Sequence, residues 1–297
     1  MIPALKRIFL FSVFFLIFSP ISTQENEENR TEFLRLTDSA LQTAVYTLGN
    51  EDSNIKIKII GVIHVGDPIY YREILSIIQD LDYLFYEGIR LNNAIRPNVA
   101  SFTGIQTEES EKLDNNNSVK GIATFQNEIA RYFNFVEQGD YLKPQENWIN
   151  ADVTFNEFLV ILKKSNLNLD ILTKNLTLDA KSALEEDSEE TKEKIDESDK
   201  HKFILKYKRK MAKYLVKSAE ELCYDEEMRI PREAIIIERN KVALSFLNSR
   251  LFSPQHLELG LLYGAAHLPH FLEVLQKEHK FQIHTIEWLD AWSLKSN

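Results

Sequence analysis

The chain contains one short pattern twice: an apolar run that breaks at a glycine and reaches a histidine three residues later. The first copy reads IIGVIHVG at positions 59–66, and the second reads LYGAAHLP at positions 262–269. In both copies the apolar run is typical of a buried strand, and the residues after the histidine have helical apolar spacing. A chain that passes twice from a strand through a tight turn into a helix is constrained to an α/β fold.

The residues around the first copy extend this pattern. Alternating apolar residues predict a strand from Leu41 to Leu48 and, after a turn, another from Ile55 to Ile63, so that the two form a hairpin. Asp67-Pro68 predicts the start of a helix, because proline is favoured at the first helical position. A short β-rich run at positions 81–86 then ends at Glu87. The first unit is therefore strand, G-x-x-H, helix, strand and glutamate.

The second copy has the same layout. Positions 257–263 predict a strand, 269–279 a helix and 281–288 a further strand that contains Glu287. Two units of nearly equal size indicate an internal duplication. Since a strand, a crossover helix and a strand imply parallel pairing with a right-handed connection, we expect a central, mostly parallel sheet built from these two strand-GxxH-helix-strand units.

A long segment of mostly helical apolar spacing separates the two units, so we expect a large helical insertion at about 115–225. The predicted helices in and after it lie at 119–136, 154–164, 172–222 and 231–246. Positions 185–200 read EEDSEETKEKIDESDK, with Ile195 as the one large aliphatic residue, which is typical of a solvated helix or a flexible acidic insertion. Residues 24–297 are expected to form a single domain.

The first 23 residues have the layout of a secretory signal. Lys6 and Arg7 precede the apolar run from Ile8 to Phe18, and small and polar residues follow at 19–23. The alternative is a retained N-terminal anchor, because the cleavage site is not a clean A-x-A. Either way we expect an exported protein, periplasmic, secreted or at the cell surface, whose association with a membrane runs through this segment only.

The charge and the cysteine content of the chain exclude further classes of protein. The formal net charge is -10 and the pI is near 5.3, which argues against a nucleic-acid partner, and no basic stripe stands out in the sequence. Cys223 is the single cysteine, which rules out an internal disulfide. We interpret it as a half-buried helix residue, not as a nucleophile.

The two G-x-x-H turns predict one shared site. Ligands of α/β proteins bind beyond the carboxyl ends of parallel strands, where both His64 and His267 would lie. Imidazole suits Zn, Mn, Co or Fe, and a carboxylate from Glu87 would complete a three-ligand metal site with open positions. His270, one helical turn after His267, and Glu287 are candidates for contacting those ligands, although the pattern favours an exposed His270.

The stretch IPREAIIIERN at positions 230–240 places Arg239 and Asn240 inside an otherwise apolar helix. A buried arginine requires an anionic partner. Arg239 would either pair with a carboxylate of the protein or bind a substrate carboxylate or a developing oxyanion. Asn240 is a further candidate for contacting the metal ligands.

Taken in order, the segments GVIH, YEG, IERN and GAAHLP resemble the TraB/PrgY, GumN and Tiki group of metal-dependent hydrolases, and WINAD at 148–152 resembles a segment of GumN-like members. The resemblance covers roughly positions 40–290. It implies a fold similar to the erythromycin esterase and ChaN-like proteins, with His64 and His267 as signature histidines, Glu87 as the signature acid and Arg239 as the signature arginine. An N-terminal secretory segment replaces the C-terminal membrane helices of TraB and PrgY, which favours a GumN-like exported protein.

These observations lead to one expected function and one alternative. The first is an exported hydrolase that uses a divalent metal, Mn, Co or Zn, to cleave a peptide or amide bond in a peptide or small-molecule substrate. Arg239 would stabilise the oxyanion, and Glu87 would serve either as a ligand or as the general base. The alternative is a non-catalytic binding or regulatory protein, such as a haem carrier, that uses the same cleft.

Overall fold

The computed structural model describes residues 30–90, 130–168 and 197–295 of the chain. The N-terminal segment 1–23, most of the predicted helix 119–136 and positions 185–196 of the acidic stretch lie outside the described residues. The strands are β1 (Leu34–Leu36), β2 (Ala40–Gly49), β3 (Ile55–Val62), β4 (Val65–Gly66), β5 (Tyr83–Tyr86), β6 (Val136–Glu137), β7 (Trp148–Asn150), β8 (Leu257–Gly264) and β9 (Gln282–Ser293). The helices are α1 (Pro68–Ile78), α2 (Gln138–Tyr141), α3 (Phe155–Lys164), α4 (Glu197–Tyr224), α5 (Arg229–Arg232), α6 (Glu238–Leu251) and α7 (Leu268–Lys277).

Seven of these strands form one mixed sheet. Strands β3, β8, β5 and β7 lie side by side and parallel, and β2 pairs antiparallel with β3. Strands β1 and β9 also pair antiparallel with β2. Following these pairings across the sheet, β2 runs opposite to every other strand. The prediction of an α/β fold with a mostly parallel sheet is therefore confirmed.

The first unit has the predicted form. Strands β2 and β3 make the hairpin, and α1 starts at Pro68 after an N-cap residue, Asp67, with an extended backbone. The helix buries Tyr70, Tyr71 and Ile74 against the sheet. It carries the chain from β3 to β5, with β8 between the two strands, so the parallel crossover spans one intervening strand.

The second unit departs from its prediction. Strand β9 runs in the same direction as β8, but it does not pair with β8 or with another parallel strand. Helix α7 carries the chain across β3 and β2, and β9 pairs antiparallel with β2 along Ala40–Gly49. The expected parallel pairing in this unit is therefore wrong, because the β2–β3 hairpin occupies the sheet next to β8.

The described part of the insertion contains predicted helices and, in addition, two short strands. In its described part, β7 adds a parallel strand beside β5, and β6 pairs with β4 in a second, two-stranded sheet. The predicted helix at 154–164 is present as α3, and the end of the predicted 172–222 helix is present as α4. Among residues 30–90, 130–168 and 197–295, no helix is both long and apolar enough to cross a membrane.

The hydrophobic core lies against both faces of the sheet at its central strands. The last four residues of β3 are all buried, and most of β8 is buried as well, as expected for strands covered on both faces. Helix α7 contributes the buried side chains of Leu268, Phe271, Leu272 and Leu275. This packing holds the carboxyl ends of β3, β8 and β5 at one level of the sheet.

Candidate functional site

Three predicted site residues follow the carboxyl ends of three adjacent parallel strands. Val62 of β3 is level with Gly264 of β8, and Leu262 of β8 is level with Tyr86 of β5. His64, His267 and Glu87 leave the sheet just beyond these positions, and their exposed fractions are 8%, 4% and 1%. The sheet topology thus brings the two G-x-x-H turns and the acid to the same buried edge.

The space above Gly264 is the point at which these side chains meet. A methyl group added at Gly264 would lie 3.1 Å from Oε2 of Glu87, 3.7 Å from Cδ2 of His267 and 4.0 Å from Nε2 of His64. Nε2 of His267 lies 3.7 Å from Oε1 of Glu87. The backbone at Gly264 has φ -48° and ψ 137°, which other residues adopt, so glycine is needed here for space and not for conformation.

The turn that carries His64 is fixed by its neighbours. The Tyr71 hydroxyl donates to the carbonyl oxygen of Ile63 at 2.8 Å, and the Trp292 indole donates to that of Val65 at 2.7 Å. Strand β4, which immediately follows His64, pairs with β6. Side chains from α1 and β9 therefore hold the backbone on both sides of the histidine.

Each histidine is clamped by a carboxamide. Nδ1 of His64 lies 2.9 Å from Oε1 of Gln138, whose backbone N–H donates to the His64 carbonyl at 2.8 Å. Nδ1 of His267 contacts Oδ1 of Asn240, whose Nδ2 donates to the His267 carbonyl at 3.0 Å. An amide oxygen can only accept a hydrogen bond, so Nδ1 carries the proton and the lone pair is on Nε2. Nε2 of His64 lies at the space above Gly264, and Nε2 of His267 lies 3.7 Å from Oε1 of Glu87.

Glu87 is held by a buried ion pair. Oε1 accepts a bond from Nη2 of Arg239 at 2.6 Å, and Oε2 accepts one from the Gly264 N–H at 2.6 Å. Burial alone would raise the pKa of Glu87, but the positive charge of Arg239, followed by His267, His64 and the hydrogen bond from Gly264, outweighs it and lowers the pKa to about 2. Glu87 is therefore a fixed carboxylate.

A second carboxylate, Asp152, shares Arg239. Nε and Nη2 of the guanidinium donate to the two oxygens of Asp152 at 3.0 Å and 2.6 Å, and both residues are fully buried. Desolvation lowers the pKa of Arg239, but the charges of Asp152 and Glu87 dominate and raise it above its ordinary value. The third nitrogen, Nη1, lies 3.4 Å from the Ile235 carbonyl. With every guanidinium nitrogen directed at the protein, the structure favours the pairing role of Arg239 over the oxyanion role.

Ionised side chains lie next to the histidines. Glu87 and Asp152 contribute two negative charges and Arg239 one positive charge. Desolvation lowers the pKa of His267 to about 3, against the opposing effect of Glu87, so this imidazole is neutral near neutral pH. A buried carboxylate and two imidazole nitrogens are donor groups that suit a divalent cation.

Within the described ranges, no group of three or more His, Cys, Asp or Glu side chains has the arrangement that would hold a metal ion. Both oxygens of Glu87 are bonded to Arg239 and Gly264, at the edge of the space that the histidines face. The donor set of two nitrogens and one carboxylate fits a divalent cation, whereas the spacing would have to tighten around it.

The helix that supplies Arg239 and Asn240 is irregular. The predicted helix 231–246 is present as α5 and α6, with a π-helical turn at Glu233–Ile237 between them. A π turn inserts an extra residue into a helix and is frequent at functional sites. Immediately after it, two consecutive residues reach different parts of the cluster: Arg239 contacts the carboxylates and Asn240 contacts His267.

Two predicted supporting residues lie farther out. His270 is half-buried, not exposed, and contacts Asn240, whose Nδ2 is 3.2 Å from Nδ1 of His270. The expectation that Glu287 supports the ligands is wrong: Glu287 is exposed and pairs with Val45 of β2. Three strands separate it from Tyr86, a distance of about 19 Å at the usual strand spacing.

No family model, curated protein or solved structure matches this chain.

Sequence reasoning assigned no role to Gln138 or Asp152. Asp152 had a detectable signal, because a buried arginine requires an anion and WINAD is the acid-bearing segment within the resemblance. Gln138 had none, because its contact with His64 joins residues 74 positions apart. Cys223 is a half-buried residue of α4, as predicted; its thiol donates to the Ala266 carbonyl at 3.3 Å, and burial raises its pKa.

Proposed function

We propose that this chain is a divalent-metal-dependent hydrolase of the TraB, GumN and Tiki group that cleaves a peptide or amide bond. One observation carries the proposal: two histidines and a glutamate surround the space above Gly264, and each histidine has its Nδ1 engaged by a carboxamide oxygen. Such carboxamide contacts orient imidazoles for metal binding through Nε2.

In this proposal His64 and His267 provide the nitrogen ligands and Glu87 provides an oxygen ligand. A bound Mn, Co or Zn ion supplies an acidic water molecule and polarises a carbonyl oxygen. Gln138 and Asn240 hold the two rings in place, and the Arg239–Asp152 pair holds Glu87. A glutamate bonded on both oxygens is suited to a fixed ligand more than to a base that must accept a proton and release it.

The charge of the cluster favours a hydrolase over a haem carrier. Haem binding requires an apolar slot beside the axial ligand. Here the ligands lie next to three buried ionised groups, Glu87, Asp152 and Arg239. A Soret band in the purified protein would reverse this preference.

The test is metal analysis of the protein purified without a His tag, combined with hydrolysis of a peptide library. We expect the native chain to bind Mn, Co or Zn and to lose both metal and activity in His64→Ala and His267→Ala. The matched control is His256→Ala at an exposed histidine outside the cluster. A native chain that binds none of these metals, or a metal content unchanged in both cluster variants, would exclude the proposal.

We further propose that the chain is exported through its N-terminal segment. The support is the charged and apolar pattern of residues 6–18. Mass spectrometry of the protein from its native source tests this proposal. A mature chain that begins near position 24, or an intact chain in a membrane fraction, agrees with it, whereas an intact chain in the cytosolic fraction contradicts it.

A further inference from the structure

Helix α4 carries a basic stripe on its exposed face. The stripe consists of five exposed residues spaced by four, three, four and four positions: Lys202, Lys206, Arg209, Lys213 and Lys217. At the pitch of an α-helix they fall within an arc of about 80° and extend over about 22 Å. The expectation that the chain carries no basic stripe is therefore wrong, because the interleaved residues face the interior and conceal the periodicity.

The opposite face of α4 packs on the protein. Tyr207, Met211 and Ala212 are buried, and so is Lys208, whose ammonium lies 3.6 Å from Asp67 and 4.2 Å from the centre of the Phe135 ring. Lys208, which is buried, is thus not part of the stripe. Exposed ion pairs such as Lys217–Glu221 at 3.7 Å contribute little to stability.

Arg30, the first residue that the structure describes, lies beside the end of the stripe. Tyr224 lies seven positions after Lys217, on the same face of α4, and its hydroxyl donates to the Thr31 carbonyl at 2.8 Å. The Arg30 guanidinium lies 5.2 Å from the centre of the Tyr224 ring. Farther along α4, Nη2 of Arg209 donates to the Asp38 carbonyl at 2.8 Å. Residues 31–38 therefore follow α4, and Arg30, the first described residue, lies next to Tyr224 at the end of that helix.

The apolar run Ile8–Phe18 is joined to this point by the residues 19–29. Eleven residues span at most about 40 Å, so an apolar segment inserted in a bilayer would keep the stripe close to the headgroups. Stable attachment to membranes commonly combines an apolar group with a basic patch, each being weak alone. Arg30, which follows the linking residues, lies at the end of the helix that carries the stripe.

We propose that the stripe on α4 docks the protein on an anionic lipid surface. Lysine and arginine near such a surface are attracted by its negative potential, and the contributions add along a row. The net charge of -10 disfavours binding to polyanions through the rest of the surface, which makes the stripe the point of contact. This inference is independent of the proposed hydrolase activity.

The experiment compares binding of the full chain to neutral phosphatidylcholine vesicles and to vesicles with about one third phosphatidylglycerol, because the difference isolates the electrostatic part. The stripe variant reverses four charges: Lys202→Glu, Lys206→Glu, Lys213→Glu and Lys217→Glu. The control variant makes the same change in net charge at exposed lysines elsewhere: Lys143→Glu, Lys163→Glu, Lys164→Glu and Lys277→Glu. Circular dichroism verifies that both variants are folded.

We expect the native chain and the control variant to bind anionic vesicles at least about 100-fold more tightly than neutral ones at low salt, with the preference declining as salt rises. The stripe variant should show no preference. Equal preference in both variants would overturn the proposal. So would a native chain that does not distinguish the vesicles, as expected if the acidic residues 185–200 neutralise the stripe, or one that binds duplex DNA but not anionic vesicles.

Discussion

At the scale of single residues, Arg239 is the most connected residue in the site. It joins two buried carboxylates that come from different strand ends, so its removal leaves both without their counter-charge. We expect Arg239→Ala to lower the free energy of unfolding by about 3 to 5 kcal/mol. Chemical denaturation measures this. Lys241→Ala, two positions along the same helix, is the control, because its exposed pairs with Glu233 and Glu238 contribute about 1 kcal/mol or less.

A result of the opposite kind would restore the catalytic role that the IERN motif suggests. In that case Arg239→Ala would leave the unfolding free energy and the metal content unchanged and would lower turnover by about 100-fold or more. Stability and turnover on the same variant thus separate the two roles.

Gln138 is the residue whose role is most specific to the proposed site. Its carboxamide orients His64 without touching the space above Gly264. We expect Gln138→Leu to weaken metal binding by about 10- to 100-fold, the usual effect of losing a group that orients a ligand. Isothermal titration with Mn, Co and Zn measures it. Unchanged affinity in a folded variant would show that the contact does not position a ligand.

The glycines of the two G-x-x-H copies have different functions. An added methyl group at Gly264 meets Glu87 and the histidines, whereas one at Gly61 meets the Ala44 carbonyl and Leu268 at 3.1 Å. We expect Gly264→Ala to reduce metal binding with little loss of stability, and Gly61→Ala to reduce stability with little change in metal affinity. Thermal unfolding and metal titration of both variants decide this, and a reversed or identical pair of results would contradict it.

The repeated unit was sufficient to predict that His64, Glu87 and His267 lie at one edge of the sheet, because each follows a strand end and parallel strand ends share one edge. It could not predict Gln138, whose position depends on how β6 and α2 fold back onto the turn after β3. It also placed Glu287 wrongly, because a strand in the sequence does not reveal its partner. Residues close to a strand end were predictable, whereas those brought in by long-range pairing were not.

At the scale of elements, α3 is the element whose start is best specified. The Thr154 side chain accepts from the Glu157 N–H, and the Glu157 carboxylate accepts from the Thr154 N–H, which together form a capping box. We expect Thr154→Ala to cost about 1 kcal/mol. Lys163→Ala, at an exposed position of the same helix, should change stability by less than about 0.5 kcal/mol in the same denaturation experiment. Equal effects would show that the cap is not stabilising.

The local signals at helix starts explain which elements were predictable. Proline at the first position of α1 and the threonine cap of α3 act through neighbouring residues and are visible in the sequence. The π turn before α6 is not visible in this way. It accommodates the contacts of Arg239 with Asp152 and of Asn240 with His267, and both partners are distant in the chain.

At the scale of the whole molecule, the titratable side chains at the sheet edge formed by β3, β8 and β5 make the free energy of unfolding depend on pH. The metal-free folded protein keeps His267 neutral with a pKa of about 3, whereas the unfolded chain protonates it near its ordinary value of 6.5. The unfolded state therefore binds the additional proton between these values, and stability falls as the pH decreases through that range. Glu87, with a folded pKa of about 2 against 4.5, extends the loss only below pH 4.5.

Between pH 4.5 and 6.5, the pH dependence of stability thus reflects the protonation of His267 and not that of Glu87. With a chelator present, we expect the unfolding free energy of the native chain to decrease steadily from pH 6.5 to 4.5, and we expect His267→Gln to show a shallower decrease because it removes the buried titrating group. His256→Gln, at an exposed histidine, should retain the native slope. If His267→Gln also retained the native slope, His267 would not be the neutral, buried imidazole that the metal site requires.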